Sequence, residues 1–120
     1  MFRSISVLTA LICAVLFALL LLSPASYIAT YGVGADAGSM FMVRRASPIF
    51  LGFAVMLWLA RDTGPSPIRN ALCWGIAAAF AGIAFTGVFE YMRSVASAAI
   101  LIAAAGELLI AVLFTRAAKT

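Results

Sequence analysis

The sequence predicts an all-α integral membrane protein, an up-down bundle of four helices with both termini on the cytoplasmic side (N-in/C-in). Composition is the first observation: 66% of the 120 residues are hydrophobic and 10% are charged, whereas soluble domains are about half apolar and about a quarter charged. A chain this short cannot bury so much apolar surface in water. The second observation is a succession of four apolar segments, each near the length that spans a bilayer. Residues 1–120 are therefore expected to form a single transmembrane domain.

Each predicted span is an apolar run that ends at polar or helix-breaking residues. The first run is longer than the core of a signal peptide, so we interpret it as a true span. A loop with one glycine and two prolines (61–67) follows the second run, and a five-residue link (90–94) joins the last two. Such short connections predict that helices two, three and four are up-down neighbours. The predicted spans cover residues 5–22, 37–61, 68–89 and 95–116.

The second span has two candidate starting points. Ser47 and Pro48 are typical of a helix start, but a helix from there would rise only about 21 Å, short of the ~30 Å hydrocarbon core. A helix that begins after Asp36, a second candidate N-cap, would rise about 37 Å. We prefer the longer helix and expect a kink near Pro48, because proline removes a backbone hydrogen bond. The alternative lays residues 35–46 along the membrane interface.

The distribution of basic residues predicts the orientation in the membrane. Lys and Arg accumulate in cytoplasmic loops, and the net charge of the chain is +4. The long first loop (23–39) contains no basic residue, which suits translocation, and even parity places both termini on the same side. Five basic residues would lie on that side, which is therefore expected to be cytoplasmic: Arg3, Arg61, Arg69, Arg116 and Lys119.

Glu107 is the strongest candidate functional residue because it lies near the middle of the last span. A charge at the bilayer centre costs at least ~2.5–3.5 kcal/mol, so its side chain should face protein or water. A row of small residues leads to Glu107, and a matching row on helix three leads to Thr86 and Glu90. Small residues let helices approach closely, so we expect the last two helices to pack together. The small residues expected at helix contacts are Gly52, Gly75, Gly82, Ala99 and Ala103.

Two arginines near the start of the second span are candidate members of the same polar site. The helical rise places Arg45 at a depth between Glu107 and Glu90. We expect Arg45 to face inward and to pair with one of these two carboxylates, and Arg44 to reach the outer headgroups. Such a pair is either a contact that specifies the fold or part of a functional site, and both interpretations stay open.

The residues that most enzymes and metal sites need are missing from the sequence. The chain has no histidine, and Cys13 and Cys73 lie alone inside apolar runs, so no zinc, iron–sulfur or haem site is predicted. No phosphate-binding loop, catalytic triad or pair of carboxylates on one helix is present. We therefore predict a non-enzymatic protein with no cofactor, no bound metal and no nucleic-acid partner.

Short motifs in the first half of the chain indicate a family. An arginine opens the first span, a proline and a Tyr-Gly-Val turn follow it, and two further motifs flank helix two. These are Arg3, Pro24, Tyr31 to Val33, Asp36 to Gly38 and Leu57 to Arg61. The set resembles a group of small bacterial four-helix membrane proteins, a domain of unknown function. The resemblance implies a four-helix fold and a location in a bacterial inner membrane.

Two functions are compatible with these observations. The first is an accessory or structural subunit of a larger membrane complex, or a self-associating bundle, because nearly all of the chain lies in spans. The second is a small proton-linked transporter or lipophile-binding protein that uses Glu107. A weaker hypothesis is recognition of anionic lipids by Arg44 and Arg45. The expected partners are membrane lipids and, for the first function, other membrane subunits or a second copy of the chain.

Overall fold

The computed structural model describes all 120 residues, and its regular structure is entirely helical. Four of its five helices are long and apolar enough to cross a membrane, which confirms the predicted all-α fold class and a multi-pass membrane protein. The helices are α1 (Phe2–Leu22), α2 (Pro24–Thr30), α3 (Ala37–Ala60), α4 (Pro67–Met92) and α5 (Ala99–Ala118).

The short helix α2 lies in a stretch that looked like a polar loop in the sequence. Pro24 occupies its first turn, where the missing N–H removes no helical hydrogen bond. Near its end, the Thr30 hydroxyl donates to the Ser26 carbonyl at 2.8 Å. A helix of seven residues is not stable alone, and α2 packs on both α1 and α3, with Ile28 buried. Packing therefore holds this helix in place.

Helix α3 begins directly after Asp36 and continues to Ala60. The Ser39 backbone N–H donates to Asp36 Oδ1 at 2.7 Å, and the Asp36 backbone N–H donates to Ser39 Oγ at 3.0 Å. This reciprocal capping box satisfies donors that the helix itself leaves free. The hydrogen bonds from Ser39 lower the pKa of the Asp36 carboxyl below its usual value. Residues 37–46 are therefore part of the same helix as the rest of the span.

Pro48 lies inside α3, and the neighbouring Ser47 compensates for its missing donor. Proline has no N–H, so the Arg44 carbonyl one turn earlier lacks its helical partner. The hydroxyl of Ser47, a fully buried residue, donates to that carbonyl at 2.7 Å. The helix continues through the proline because a side chain replaces the lost backbone bond.

We expect Ser47→Ala to lower the free energy of unfolding by about 1–2 kcal/mol, because it leaves the Arg44 carbonyl without a donor. Unfolding of the purified protein in mixed micelles measures the change. In a Pro48→Ala background the backbone N–H of residue 48 restores the helical bond, so the same serine substitution should be nearly neutral. Equal losses in the two backgrounds would contradict this explanation.

The four long helices form two pairs. Helix α1 packs mainly against α3, and α4 packs mainly against α5, while α1 and α5 provide the principal contact between the pairs. Helices α3 and α4 scarcely touch, although a short loop joins them, so the expected neighbour packing of these two spans is not found. A short loop limits the distance between two helix ends, but the fit of the side chains selects the packing partner.

A seam of residues spaced three and four apart holds α4 against α5. Such spacing keeps one side of a helix against its partner. At Gly87 an added Cβ would lie 3.1 Å from Ile100 Cγ1, so the two helices approach closely there. The buried residues are Cys73, Ile76, Ala77, Phe80, Ala84 and Gly87 on α4, and Ala104, Ala111, Phe114, Ala117 and Ala118 on α5.

The glycines expected at helix contacts face outward instead. A Cβ added at Gly52, Gly75 or Gly82 would meet no atom within 4 Å, and all three glycines are exposed, whereas Ala99 and Ala103 are half-buried. Gly75 and Gly82 each come two residues after a buried residue of α4, Cys73 and Phe80. Two residues along a helix correspond to a rotation of about 200°, so the predicted glycine row lies almost opposite the observed seam of α4. Both rows carry small residues at similar spacing, and the sequence pattern did not distinguish them.

The hydrophobic core lies mainly in the half of the molecule that carries both chain termini. We call this side the terminal end and the opposite side the α2 end. Phe2 meets Phe114 edge to face at a centroid distance of 6.5 Å, and Leu57 and Ile76 are almost completely buried beside them. All four long helices contribute to this cluster, and a cavity lies between the pairs at the α2 end.

Candidate functional site

A cavity of about 350 Å³ lies at the α2 end, bounded by α2, α3, α4 and α5. Its volume falls at the lower end of the range for small-molecule sites. The lining is mostly apolar, and it contains no Lys or Arg. The side chains with polar groups in this lining are Tyr27, Tyr31, Ser39, Thr86, Glu90 and Glu107.

Glu107 is positioned by the seam of α5. It comes three residues after Ala104 and four before Ala111, which are both buried, so it shares their side of the helix. The side chain is half-buried and lines the cavity. None of the three ion pairs in the molecule includes it. The structure therefore has a carboxyl group in a mostly apolar cavity without a basic partner.

Tyr27 and Tyr31 form the α2 wall of the cavity. Their rings meet edge to face, with 5.3 Å between centroids and an interplanar angle of 85°. Burial raises the pKa of the Tyr27 hydroxyl above its usual range, and the charges of Tyr31 and Glu107 act in the same direction. The Tyr27 phenol is therefore neutral near pH 7, and it lines the same cavity as the Glu107 carboxyl.

The other two predicted residues of α4 also line the cavity, but their polar groups already have partners. Glu90 Oε1 lies 3.3 Å from Arg93 Nη1, and the Thr86 hydroxyl donates to the Ile83 carbonyl at 2.8 Å. Glu90 is consequently paired with a basic residue directly after the end of α4. Of the two carboxyl groups that line the cavity, Glu107 alone lacks a counter-charge.

The two arginines of α3 lie outside this cavity. Arg44 and Arg45 are both exposed and line a separate surface groove, and the Arg45 guanidinium lies 5.9 Å from the centroid of the Phe41 ring. The expected pairing of Arg45 with Glu107 or Glu90 is therefore wrong.

Helical rise explains why that expectation failed. It gives the depth of a residue along the helix, but it does not give the side of the helix on which the residue lies. The buried positions of α3 are Ser47, Ala54 and Leu57. Arg45 precedes Ser47 by two residues and is therefore rotated from it by about 200°. Its side chain thus lies on the outer side of α3.

A contact between two links, which we call the clasp (Tyr31, Gly32 and Ser97), joins the helix pairs beside the cavity. The Ser97 backbone N–H donates to the Tyr31 carbonyl at 2.7 Å, so the α2–α3 link is bonded to the α4–α5 link. Gly32 has φ +73°, and a Cβ added there would lie 3.0 Å from Ser97 Cβ. A residue without a side chain suits both the left-handed backbone and this close approach.

Gly32→Ala is expected to lower the free energy of unfolding by at least about 1–2 kcal/mol, the cost of a left-handed conformation for a residue with a Cβ. The crowding against Ser97 adds to this cost. The matched control is Gly34→Ala, because a Cβ at Gly34 meets no atom within 4 Å and its φ is not left-handed. Unfolding in mixed micelles compares the two variants, and equal stabilities would contradict the role of the clasp.

Several of these residues were not predicted as part of a site. Tyr27, Ser39 and Ser97 were not singled out from the sequence, and Tyr31 was noted only as part of the Tyr-Gly-Val motif. The useful signal in the sequence was two tyrosines four residues apart after Pro24, a pattern typical of a short helix with an aromatic face.

Comparison with known proteins gives no relative for this arrangement. No protein-family model, curated protein or solved structure matches the chain. No three potential metal-ligating side chains come together either. The geometry of the cavity is therefore the basis for a functional argument.

Proposed function

We propose that this protein is a non-enzymatic multi-pass protein of a bacterial inner membrane that binds a small lipophilic cation in the Glu107 cavity. The observation that carries this proposal is the carboxyl group of Glu107, which lines a mostly apolar cavity and has no basic partner. The proposal develops the lipophile-binding interpretation of the sequence into a chemical class of ligand.

The physical argument concerns how the carboxyl group is neutralised. An isolated charge at membrane depth costs at least ~2.5–3.5 kcal/mol, so Glu107 either carries a proton or accepts a cation. A cationic ligand would place its charge beside this carboxylate and its apolar part against the aliphatic lining. The rings of Tyr27 and Tyr31 add cation–π attraction of about 0.5–2 kcal/mol. Proton and ligand then compete for one group, which is the basis of proton-linked exchange.

Equilibrium binding to the purified protein in nanodiscs tests the proposal. Benzyltrimethylammonium is a suitable probe, and neopentylbenzene is its neutral control because carbon replaces nitrogen at unchanged shape. We expect the cation to bind more tightly than the neutral compound and to lose affinity as the pH falls. Equal affinity of the two compounds, or no saturable binding of the cation at any pH, would refute the proposal.

The cytoplasmic location of the termini is part of the same proposal. Basic residues at the terminal end outnumber those near the α2 end, and such an excess favours the cytoplasmic side. In this orientation the cavity opens toward the periplasmic half of the membrane. The five basic residues that support the orientation are Arg3, Arg61, Arg69, Arg116 and Lys119.

A second candidate function is that of an accessory subunit or a self-associating bundle. It is favoured by the outward position of Gly75 and Gly82, which are exposed on one side of α4 with nothing within 4 Å of an added Cβ. Small residues seven apart allow close contact with another helix in lipid. Cross-linking in native membranes tests this function. Gly75→Leu and Gly82→Leu should abolish the cross-linked species, and Gly106→Leu, at another exposed glycine, should preserve it.

A further inference from the structure

A second pocket, of about 560 Å³, lies at the terminal end, where the ends of all four long helices meet. Residues at the start of α1 and α4 and residues that follow α3 and α5 line it. Because these four helices are the membrane spans, their ends lie at the level of the lipid headgroups. The pocket is therefore a polar recess at headgroup depth, separate from the Glu107 cavity.

The pocket carries an excess of positive charge. Arg3 Nε lies 3.2 Å from Asp62 Oδ1, and Arg61 Nε lies 3.5 Å from Asp62 Oδ2. One carboxylate is thus shared by two guanidinium groups, and Arg69 has no carboxylate partner. Three arginines and one aspartate give the side chains of the pocket a net charge of +2.

Arg69 is held in position but is poorly satisfied. Its guanidinium carbon lies 4.4 Å from the centroid of the Phe2 ring, and Nη2 donates to the Ala117 carbonyl at 3.4 Å and to Thr120 Oγ1 at 3.5 Å. Both distances are long for hydrogen bonds. The buried Nε makes no hydrogen bond. The Phe2 ring holds the Arg69 guanidinium in place, and its N–H donors are incompletely bonded. Arg69 is therefore suited to bind an anion.

We propose that this pocket binds the phosphate of an anionic phospholipid headgroup. Guanidinium groups match phosphate oxygens through paired hydrogen bonds, and three of them converge here from different segments of the chain. The depth of the pocket favours a lipid over a soluble anion, since the acyl chains would continue along the spans. Anionic lipids are also enriched in the cytoplasmic leaflet, which is the side expected for this end of the molecule.

Binding of a fluorescent short-chain phosphatidylglycerol to the purified protein in neutral detergent tests this site, with phosphatidylcholine of the same chains as the reference. The wild type should prefer phosphatidylglycerol. Arg69→Gln and Arg3→Gln should each weaken its binding about fivefold, as expected for one basic residue near the headgroup. The matched control is Arg116→Gln, which removes the same charge from the same end but outside the pocket, and it should change the affinity less than about twofold.

Three outcomes would overturn the proposal. An equal loss in Arg116→Gln would mean that a diffuse positive field, and not the pocket, attracts the lipid. An unchanged preference for phosphatidylglycerol over phosphatidylcholine in both Arg3→Gln and Arg69→Gln would also exclude the site. Displacement of the lipid by millimolar inorganic phosphate would identify a soluble anion as the ligand. Because the Arg3 side chain is largely exposed, Arg3→Gln gives a valid result even if loss of the Arg69 contacts prevents folding.

Discussion

Replacing Glu107 with glutamine is expected to weaken binding of benzyltrimethylammonium by about tenfold to a hundredfold, which corresponds to the ~1.5–3 kcal/mol typical of a contact with a charged group. Glutamine keeps the size of the side chain but removes the negative charge that attracts the cation. The variant should also lose the pH dependence of binding, because no carboxyl group at position 107 remains to exchange a proton for the ligand. Equilibrium binding in nanodiscs measures both effects.

Glu90→Gln is the matched control for this experiment. It makes the same chemical change on another residue that lines the cavity, but Glu90 is already paired with Arg93 at 3.3 Å. We expect its effect on cation affinity to stay below about threefold, since exposed pairs contribute little. Equal effects of the two substitutions would show that the overall charge of the cavity, and not the unpaired carboxyl, governs binding. Loss of neopentylbenzene binding in Glu107→Gln would instead indicate a damaged cavity.

Phe114→Ala is expected to produce the largest loss of stability in this chain. Phe114 is fully buried in the core at the terminal end and meets the Phe2 ring edge to face. In lipid the unfolded reference is itself apolar, so the loss comes mainly from the space left behind. A cavity of roughly 100 Å³ at about 24 cal/mol per Å³ lowers the free energy of unfolding by about 2.4 kcal/mol.

The control for this loss is Phe85→Ala, which removes the same ring from an outward position that is 66% exposed. Lipid can fill the space left by this ring, so the free energy of unfolding should change by less than about 0.5 kcal/mol. Reversible unfolding in mixed micelles compares the two variants. Similar losses at both positions would mean that the contacts of Phe114 do not hold the helix pairs together.

The positions of the four spans could be predicted, although several helix ends differ from the predicted ones by two to four residues: α5, for example, begins at Ala99 and not at residue 95. Long apolar runs mark the spans, and Asp36 marks the start of α3 through a cap that is visible in the sequence. The packing of the spans could not be predicted in the same way. Helix α4 carries small residues on two opposite sides, and hydropathy does not distinguish the side with Gly75 and Gly82 from the side that contacts α5.

The sequence identified a residue of the candidate site only where its polarity differs from that of the residues around it. Glu107 stands out because it is a carboxyl group inside an apolar run. Tyr27 and Tyr31 do not stand out, because α2 has the composition of a loop and forms only through packing on its neighbours. Arg45 was misassigned because depth along a helix says nothing about the direction of the side chain.

The central claim is that the Glu107 side chain faces the cavity between the helix pairs and not the acyl chains. Nitroxide labels at position 107 and at Leu109, an outward residue of the same helix that is 59% exposed, test this most directly. The labels are introduced as cysteines in a Cys13→Ala, Cys73→Ala background, and their mobility and collisions with dissolved oxygen are measured in nanodiscs. The account predicts an immobilised label with low oxygen accessibility at position 107 and a mobile, oxygen-accessible label at position 109. Equal mobility and equal oxygen accessibility at the two positions would contradict it.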